Sequence, residues 1–109
     1  MKHFSLGKEE RLLSPLEFRR AMREGESSTT EHFKIFILAT QGEKRRLGIT
    51  TSKKVGTAVR RNRVKRLIRE FFRLNKMKLS PSSDILFIAK PGAGLLNYAK
   101  LYEELKIIF

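Results

Sequence analysis

The chain has 109 residues, with 24 Lys plus Arg against 11 Asp plus Glu, a formal net charge of +13 and no cysteine. A length near that of one common domain, with 40% apolar residues, excludes disorder throughout. The absence of Cys excludes a disulfide framework, a thiol nucleophile and a thiolate metal site. No apolar run approaches the roughly 20 residues of a membrane helix. Met1 to Glu10 lacks the apolar core of a secretory signal, so the expected compartment is the cytoplasm.

With no repeat and no long Pro/Gly/Ser linker, one domain over residues 1–109 is expected. Ser14-Pro15-Leu16-Glu17 reads as a helix start. Ser14 caps, Pro15 takes the first position, where a missing N–H costs nothing, and Glu17 completes a capping box. Leu13 and Phe18 stand at staple spacing, and the helix is expected to run to Glu24 and stop at Gly25. A short strand near Ser27 to Thr30 is an optional addition. From His32 to Ala39, Phe33, Ile35 and Ile37 alternate with Lys34, Phe36 and Leu38, as in a strand. After a turn at Gln41-Gly42-Glu43, Arg46 to Ser52 alternates likewise, and the two strands are expected to pair antiparallel. Thr57 is set to cap a long helix reaching about Lys76. Ser80 to Ser83 is a turn, Ile85 to Ala89 an interior strand, and Asn97 the cap of a last helix whose Tyr98, Leu101, Tyr102, Leu105, Ile108 and Phe109 face the core. The order α-β-β-(β)-α-β-α makes an α+β sandwich of helices on a small sheet.

The charge is not spread evenly. Residues 44–78 hold fourteen Lys or Arg and one acid, Glu70, while the rest of the chain sums to zero. Such clustering suits a polyanionic partner. On the long helix, Val64, Leu67, Ile68, Phe71, Phe72 and Leu74 fall in one arc, which is expected to pack on the sheet. Arg61, Asn62, Lys65, Arg66, Arg69 and Arg73 fill the complementary arc, and Lys53 and Lys54 lie just before the helix. Arg60 fits neither set. A solvated amphipathic helix would carry acids four residues from its cations, but Glu70 is the only acid between Arg60 and Lys78. Arginine forks suit phosphate, so nucleic acid is the expected partner. A membrane surface would need the apolar arc that the core requires.

Catalysis by the protein itself is not expected. The chain has one Asp, Asp84, and its acid pairs Glu9-Glu10 and Glu103-Glu104 diverge on a helix. His3 and His32 are isolated, and Ser52 to Thr57 lacks the spacing of a phosphate-binding P-loop. If catalysis occurs, something else performs it; a ribosomal or RNA-chaperone module and a DNA-binding helix protein are the competing binding-module readings.

The run Ser52-Lys53-Lys54-Val55-Gly56-Thr57-Ala58-Val59-Arg60-Arg61-Asn62-Arg63-Val64-Lys65-Arg66-Leu67-Ile68-Arg69-Glu70 closely resembles the signature of the bacterial ribonuclease P protein subunit, with Arg61-Asn62-Arg63 as its hallmark. The likeness continues through the first helix start, Arg46-Leu47-Gly48, and Ile88 to Pro91. The resemblance implies a left-handed β-α-β crossover around the central basic helix. It also implies a catalytic RNA partner that chiefly binds the Mg²⁺ ions, precursor tRNA as substrate, release of the 5′ leader, and neither DNA nor a membrane as partner. By the same resemblance, Lys53, Lys54, Arg61, Asn62, Arg63, Lys65, Arg66, Arg69 and Arg73 would contact RNA. A leader-binding cleft between the basic helix and the sheet would use Phe18, Met22, Lys34 and Phe36, with Met22 where the family usually has an aromatic.

Overall fold

A computed structural model describes residues 14–42 and 44–109, so the expected Leu13 staple, His3 and the Glu9-Glu10 pair lie outside the described residues. The first helix, α1 (Pro15–Glu24), begins as its sequence dictates. The Ser14 hydroxyl accepts from the Glu17 N–H at 3.1 Å while the Glu17 carboxylate accepts from the Ser14 N–H at 3.2 Å. The helix ends at Gly25, with a cause other than a left-handed cap. Gly25 is extended (φ −79°), and a Cβ there would lie 2.6 Å from the Ala21 carbonyl oxygen and 3.0 Å from that of Ile37. The missing side chain lets the backbone turn against the sheet.

Four strands, β1 (Glu26–Thr29), β2 (Phe33–Ala39), β3 (Arg45–Thr50) and β4 (Ser83–Ala89), form one sheet in the order β1-β2-β4-β3. The optional strand is therefore present as β1, paired antiparallel with β2. The expected antiparallel pairing of 32–39 with 46–52 does not form. Instead β4 lies between them, antiparallel to β2 (Phe33 opposite Ala89) and parallel to β3 (Thr50 opposite Ile88). The physical reason lies in β4 itself. Ile85 and Phe87 point to one face and Leu86 and Ile88 to the other, and Ser83 to Phe87 are all buried. A strand apolar on both faces loses most by taking an edge. The β3–β4 link passes through a 3₁₀ turn (Lys53–Val55) and α2 (Ala58–Asn75), giving the β-α-β crossover.

Gly56, at φ +142°, joins that turn to α2, a backbone region that side chains rarely adopt. The Thr57 hydroxyl then accepts from the Arg60 N–H at 3.3 Å, capping α2 as expected. Val64, Ile68, Phe71 and Phe72 are fully buried against Phe33, Ile35, Ile85 and Phe87, with Phe33 and Phe71 meeting Phe87 edge-on at 6.2 and 6.4 Å. Leu74, assigned to this arc from the sequence, is instead 53% exposed, because at about 100° per residue it stands at the rim of the arc, away from the line of Val64, Ile68, Phe71 and Phe72. The last helix, α3 (Tyr98–Leu105), capped by Asn97 at 2.8 Å, adds Leu101 and Leu105 to the same core. Phe109 is only half covered, yet its ring stacks on Phe71 at 5.6 Å. On the other face of the sheet, α1 buries Ala21 with Phe36 and Leu86, and Phe18 and Ile88 flank them.

Candidate nucleic-acid interface

The packing of α2 decides which of its cations can meet a partner. With the Val64–Ile68–Phe71–Phe72 stripe on the sheet, Asn62 and Arg66 are fully displayed, and Arg61, Lys65 and Arg69 flank them half-buried. Lys53 and Lys54, both exposed, extend the row before the helix start. Among the described residues, none of Lys53, Lys54, Arg61, Lys65, Arg66 and Arg69 pairs with a carboxylate. The Nε of Arg61 is out of solvent and meets no protein acceptor.

Two expected contacts have other employment. Arg73 grips Glu70 with Nη2 at 3.0 and 3.1 Å from the two carboxylate oxygens, so the one acid of the basic segment neutralises the last cation of the row. Three-residue spacing places them side by side on the helix. Arg63 turns inward, its Nη2 donating to the Leu96 carbonyl at 2.8 Å, and so ties α2 to the loop before α3. Arg60, which fitted neither arc, lies along two glycines: a Cβ on Gly56 or on Gly94 would come within 3.1 Å of its aliphatic stem. Arg60 is exposed there, at the start of α2.

The second expected group does not lie with the first. Phe18, Phe36 and Lys34 belong to the α1 side of the sheet, opposite the face that α2 covers, so a cleft between the basic helix and the sheet cannot hold them. The interval between α2 and the sheet is filled by core. What the other face presents is a partly covered surface: Phe36 is 8% exposed under the Lys34 ammonium, 5.5 Å from the ring centre, and Met22 is 43% exposed on α1.

Ionic ties that the sequence analysis did not assign hold these elements in place. The Arg46 guanidinium donates to both oxygens of buried Asp84 at 2.8 and 2.9 Å and also to Glu17, fastening β3, β4 and α1 together. The hydrogen bond to Asp84 raises the affinity of Arg46 for its proton, against the opposing effect of burial. Across the molecule, Glu104 of α3 accepts from the Thr30 hydroxyl, from the His32 N–H at 2.7 Å, and lies 2.7 Å from His32 Nδ1. Burial alone would raise the Glu104 carboxyl, but these hydrogen bonds outweigh it and hold it below its ordinary range. The available signal was that Asp84 is the sole Asp of the chain, placed directly before the apolar run Ile85 to Ala89 within β4.

Residues 6–109 match the ribonuclease P family. Curated proteins named ribonuclease P protein component are 43% identical over 108 residues in Syntrophus aciditrophicus, covering 99% of this chain and 91% of that one. In Desulfosudis oleivorans identity is 45% over 109 residues, covering 100% and 90%. The chain belongs to the ribonuclease P protein family. Solved structures agree: the RNase P proteins of Staphylococcus aureus and Thermotoga maritima superpose with TM-scores of 0.81 and 0.80, each at 31% identity. They cover 91% of this chain, and 91% and 94% of their own. The mixed α+β fold, with its four-stranded sheet, is thus this family's fold.

Proposed function

We infer that this chain is the protein subunit of ribonuclease P, a ribonucleoprotein endonuclease in which the RNA subunit cuts precursor tRNA to release its 5′ leader. The observation that carries the reading is the row Arg61, Asn62, Lys65, Arg66 and Arg69 on one side of a folded helix, without carboxylate partners among the described residues. Such a surface is neutralised by phosphates, and the guanidinium forks hold them with direction as well as charge. The α2 face, with Lys53 and Lys54, is assigned to the catalytic RNA.

The opposite face is assigned to the leader. A single strand crossing the sheet beside α1 would meet the exposed Lys34 ammonium for its phosphates and Met22 and Phe18 for its bases, with Phe36 buried beneath them as part of the supporting core. Charge plus apolar contact is the usual way to hold unpaired nucleotides. Substrate and catalytic RNA then occupy two faces of one sheet without competing.

The described residues contain no group of three or more His, Asp or Glu able to hold a metal ion. Mg²⁺ is assigned to the RNA subunit, whose phosphates supply the oxygen ligands that this ion prefers. Among the described residues no helix is long and apolar enough to cross a membrane, and the cytoplasm, where precursor tRNA is made, is the proposed compartment. The test is reconstitution with the catalytic RNA and precursor tRNA. The protein should lower the Mg²⁺ concentration needed for cleavage, and its benefit should shrink when the leader is cut to one or two nucleotides. An unchanged Mg²⁺ requirement would refute the assignment.

A further inference from the structure

A surface made only to neutralise phosphates would be cationic throughout, and α2 is not. In the middle of its basic row lies a groove of about 900 Å³ between α2 and α3, within the range of small-ligand clefts. Its apolar wall is Leu67 and Tyr98, both packed against the main core and so fixed in place. The Tyr98 hydroxyl accepts a hydrogen bond from the Asn75 amide at 3.2 Å, which further holds the ring. Lys65, Arg66 and Arg69 border the same groove, as does Asn62, whose exposed amide has no protein partner among the described residues. Glu70 is also there, but its carboxylate is taken by Arg73.

We propose that this α2–α3 groove takes one unstacked nucleotide of the partner RNA, its base against Tyr98 and Leu67, its flanking phosphates on Lys65, Arg66 and Arg69, and its edge within reach of the Asn62 amide. The proposal rests on the reading of α2 as the face for the catalytic RNA. It adds that recognition here includes a base from a bulge or loop. Bases within an A-form duplex are stacked and cannot enter such a groove, whereas unpaired ones can be splayed onto an aromatic side chain. The amide offers both a donor and an acceptor, so it can select among bases where a cation cannot.

The experiment measures binding of the catalytic RNA to wild-type protein and to the Tyr98→Leu and Tyr98→Phe variants over a range of salt. Loss of one base–aromatic stack should weaken Tyr98→Leu about tenfold with an unchanged salt slope, while Tyr98→Phe, which keeps the ring, should bind like wild type. A folded Tyr98→Leu with wild-type affinity overturns the proposal, as does an equal loss in Tyr98→Phe, which would place the effect in the hydroxyl bond to Asn75. A second measurement does not depend on Tyr98 variants folding. The chain has no Cys, so Asn62→Cys gives a single attachment point for an azidophenacyl photocrosslinker. Adducts concentrated on one or two unpaired nucleotides support the groove, and adducts spread along base-paired segments overturn it. If wild-type protein fails to bind the catalytic RNA, the functional reading itself falls. If it binds and Tyr98→Leu is normal, only the groove does.

Discussion

Replacing Arg66 and Arg69 together by Ala tests the α2 interface with a number attached. Neither side chain has a carboxylate or hydrogen-bond partner among the described residues, and both project away from the buried stripe of Val64, Ile68, Phe71 and Phe72. The fold should therefore shift by no more than about 0.5 kcal/mol per site, as for ordinary surface changes. RNA binding should change more. Each phosphate contact contributes about 0.9 to the slope of log affinity against log salt on a duplex, or about 0.7 on a single strand, so losing two lowers the slope by about 1.4 to 1.8. Between about 50 and 200 mM salt the variant should then lose about 7- to 12-fold less affinity than wild type, while binding more weakly at the low-salt end. Filter binding or fluorescence anisotropy with the catalytic RNA reads both quantities. Arg73→Ala is the internal control: its guanidinium is occupied by Glu70 at 3.0 Å, so its slope change should fall well below that of Arg66→Ala alone. A double variant with the wild-type slope, or an Arg73→Ala slope change as large as that of Arg66→Ala, would refute the assignment of this face.

Arg46→Ala should strand the buried Asp84 carboxylate. Removing one partner of a buried pair costs about 3–5 kcal/mol, and because Arg46 is 32% exposed about 2–3 kcal/mol is expected, a fall in Tm of about 10 °C for a chain of this length. Thermal unfolding checks this, and adding Asp84→Leu should recover much of the loss. Glu104→Gln tests the clasp between α3 and the Thr30–His32 turn. A carboxyl whose folded pKa is depressed contributes stability that is present above its unfolded value, about 4.5, and is lost as pH falls through the lower folded value. Wild-type Tm should therefore drop on acidification below about pH 5 more steeply than that of Glu104→Gln, and parallel curves would show that the carboxylate charge is not what the clasp uses. Gly25→Ala places a Cβ 2.6 Å from a backbone oxygen, so it should cost about 1–3 kcal/mol as overpacking does. By shifting α1, it should also weaken binding of precursor tRNA with a long leader more than binding of the catalytic RNA.

Elements governed by local chemistry were legible in the sequence. The Ser14–Glu17 capping box, the Thr57 and Asn97 caps, and the burial of Val64, Ile68, Phe71 and Phe72 on one side of α2 all follow from spacing alone, and each is present. Strand order was not legible, because Phe33–Ala39 and Arg45–Thr50 alternate in a way that fits either a direct hairpin or a shared central neighbour. Only the two-faced apolar character of Ile85 to Ile88 favoured the second arrangement. The same gap misplaced the cleft. Lys34 and Phe36 were assigned to one strand face, but which helix covers that face depends on the crossover, a long-range choice that periodicity does not encode. The Arg46–Asp84–Glu17 tie was hidden for the same reason, since its members are brought together by β4 entering the centre of the sheet.

That insertion also explains how one small sheet can serve two RNA surfaces. The face bearing Ile85 and Phe87 anchors α2, and the face bearing Leu86 and Ile88 anchors α1; β2 does the same beside it, with Phe33 and Ile35 toward α2 and Phe36 toward α1. The ties that fix the two helices are nevertheless separate. Helix α1 is locked by Glu17 to Arg46, whereas α2 is locked by Arg63 to Leu96 and by its own buried stripe. Loosening Arg46 should therefore let α1 drift from Phe36 while the α2 row keeps its geometry. Under conditions where Arg46→Ala remains folded, leader-dependent binding should weaken ahead of binding to the catalytic RNA. Equal weakening of both would mean that the two faces are mechanically one, and that the sheet does not insulate the substrate side from the side that holds the RNA.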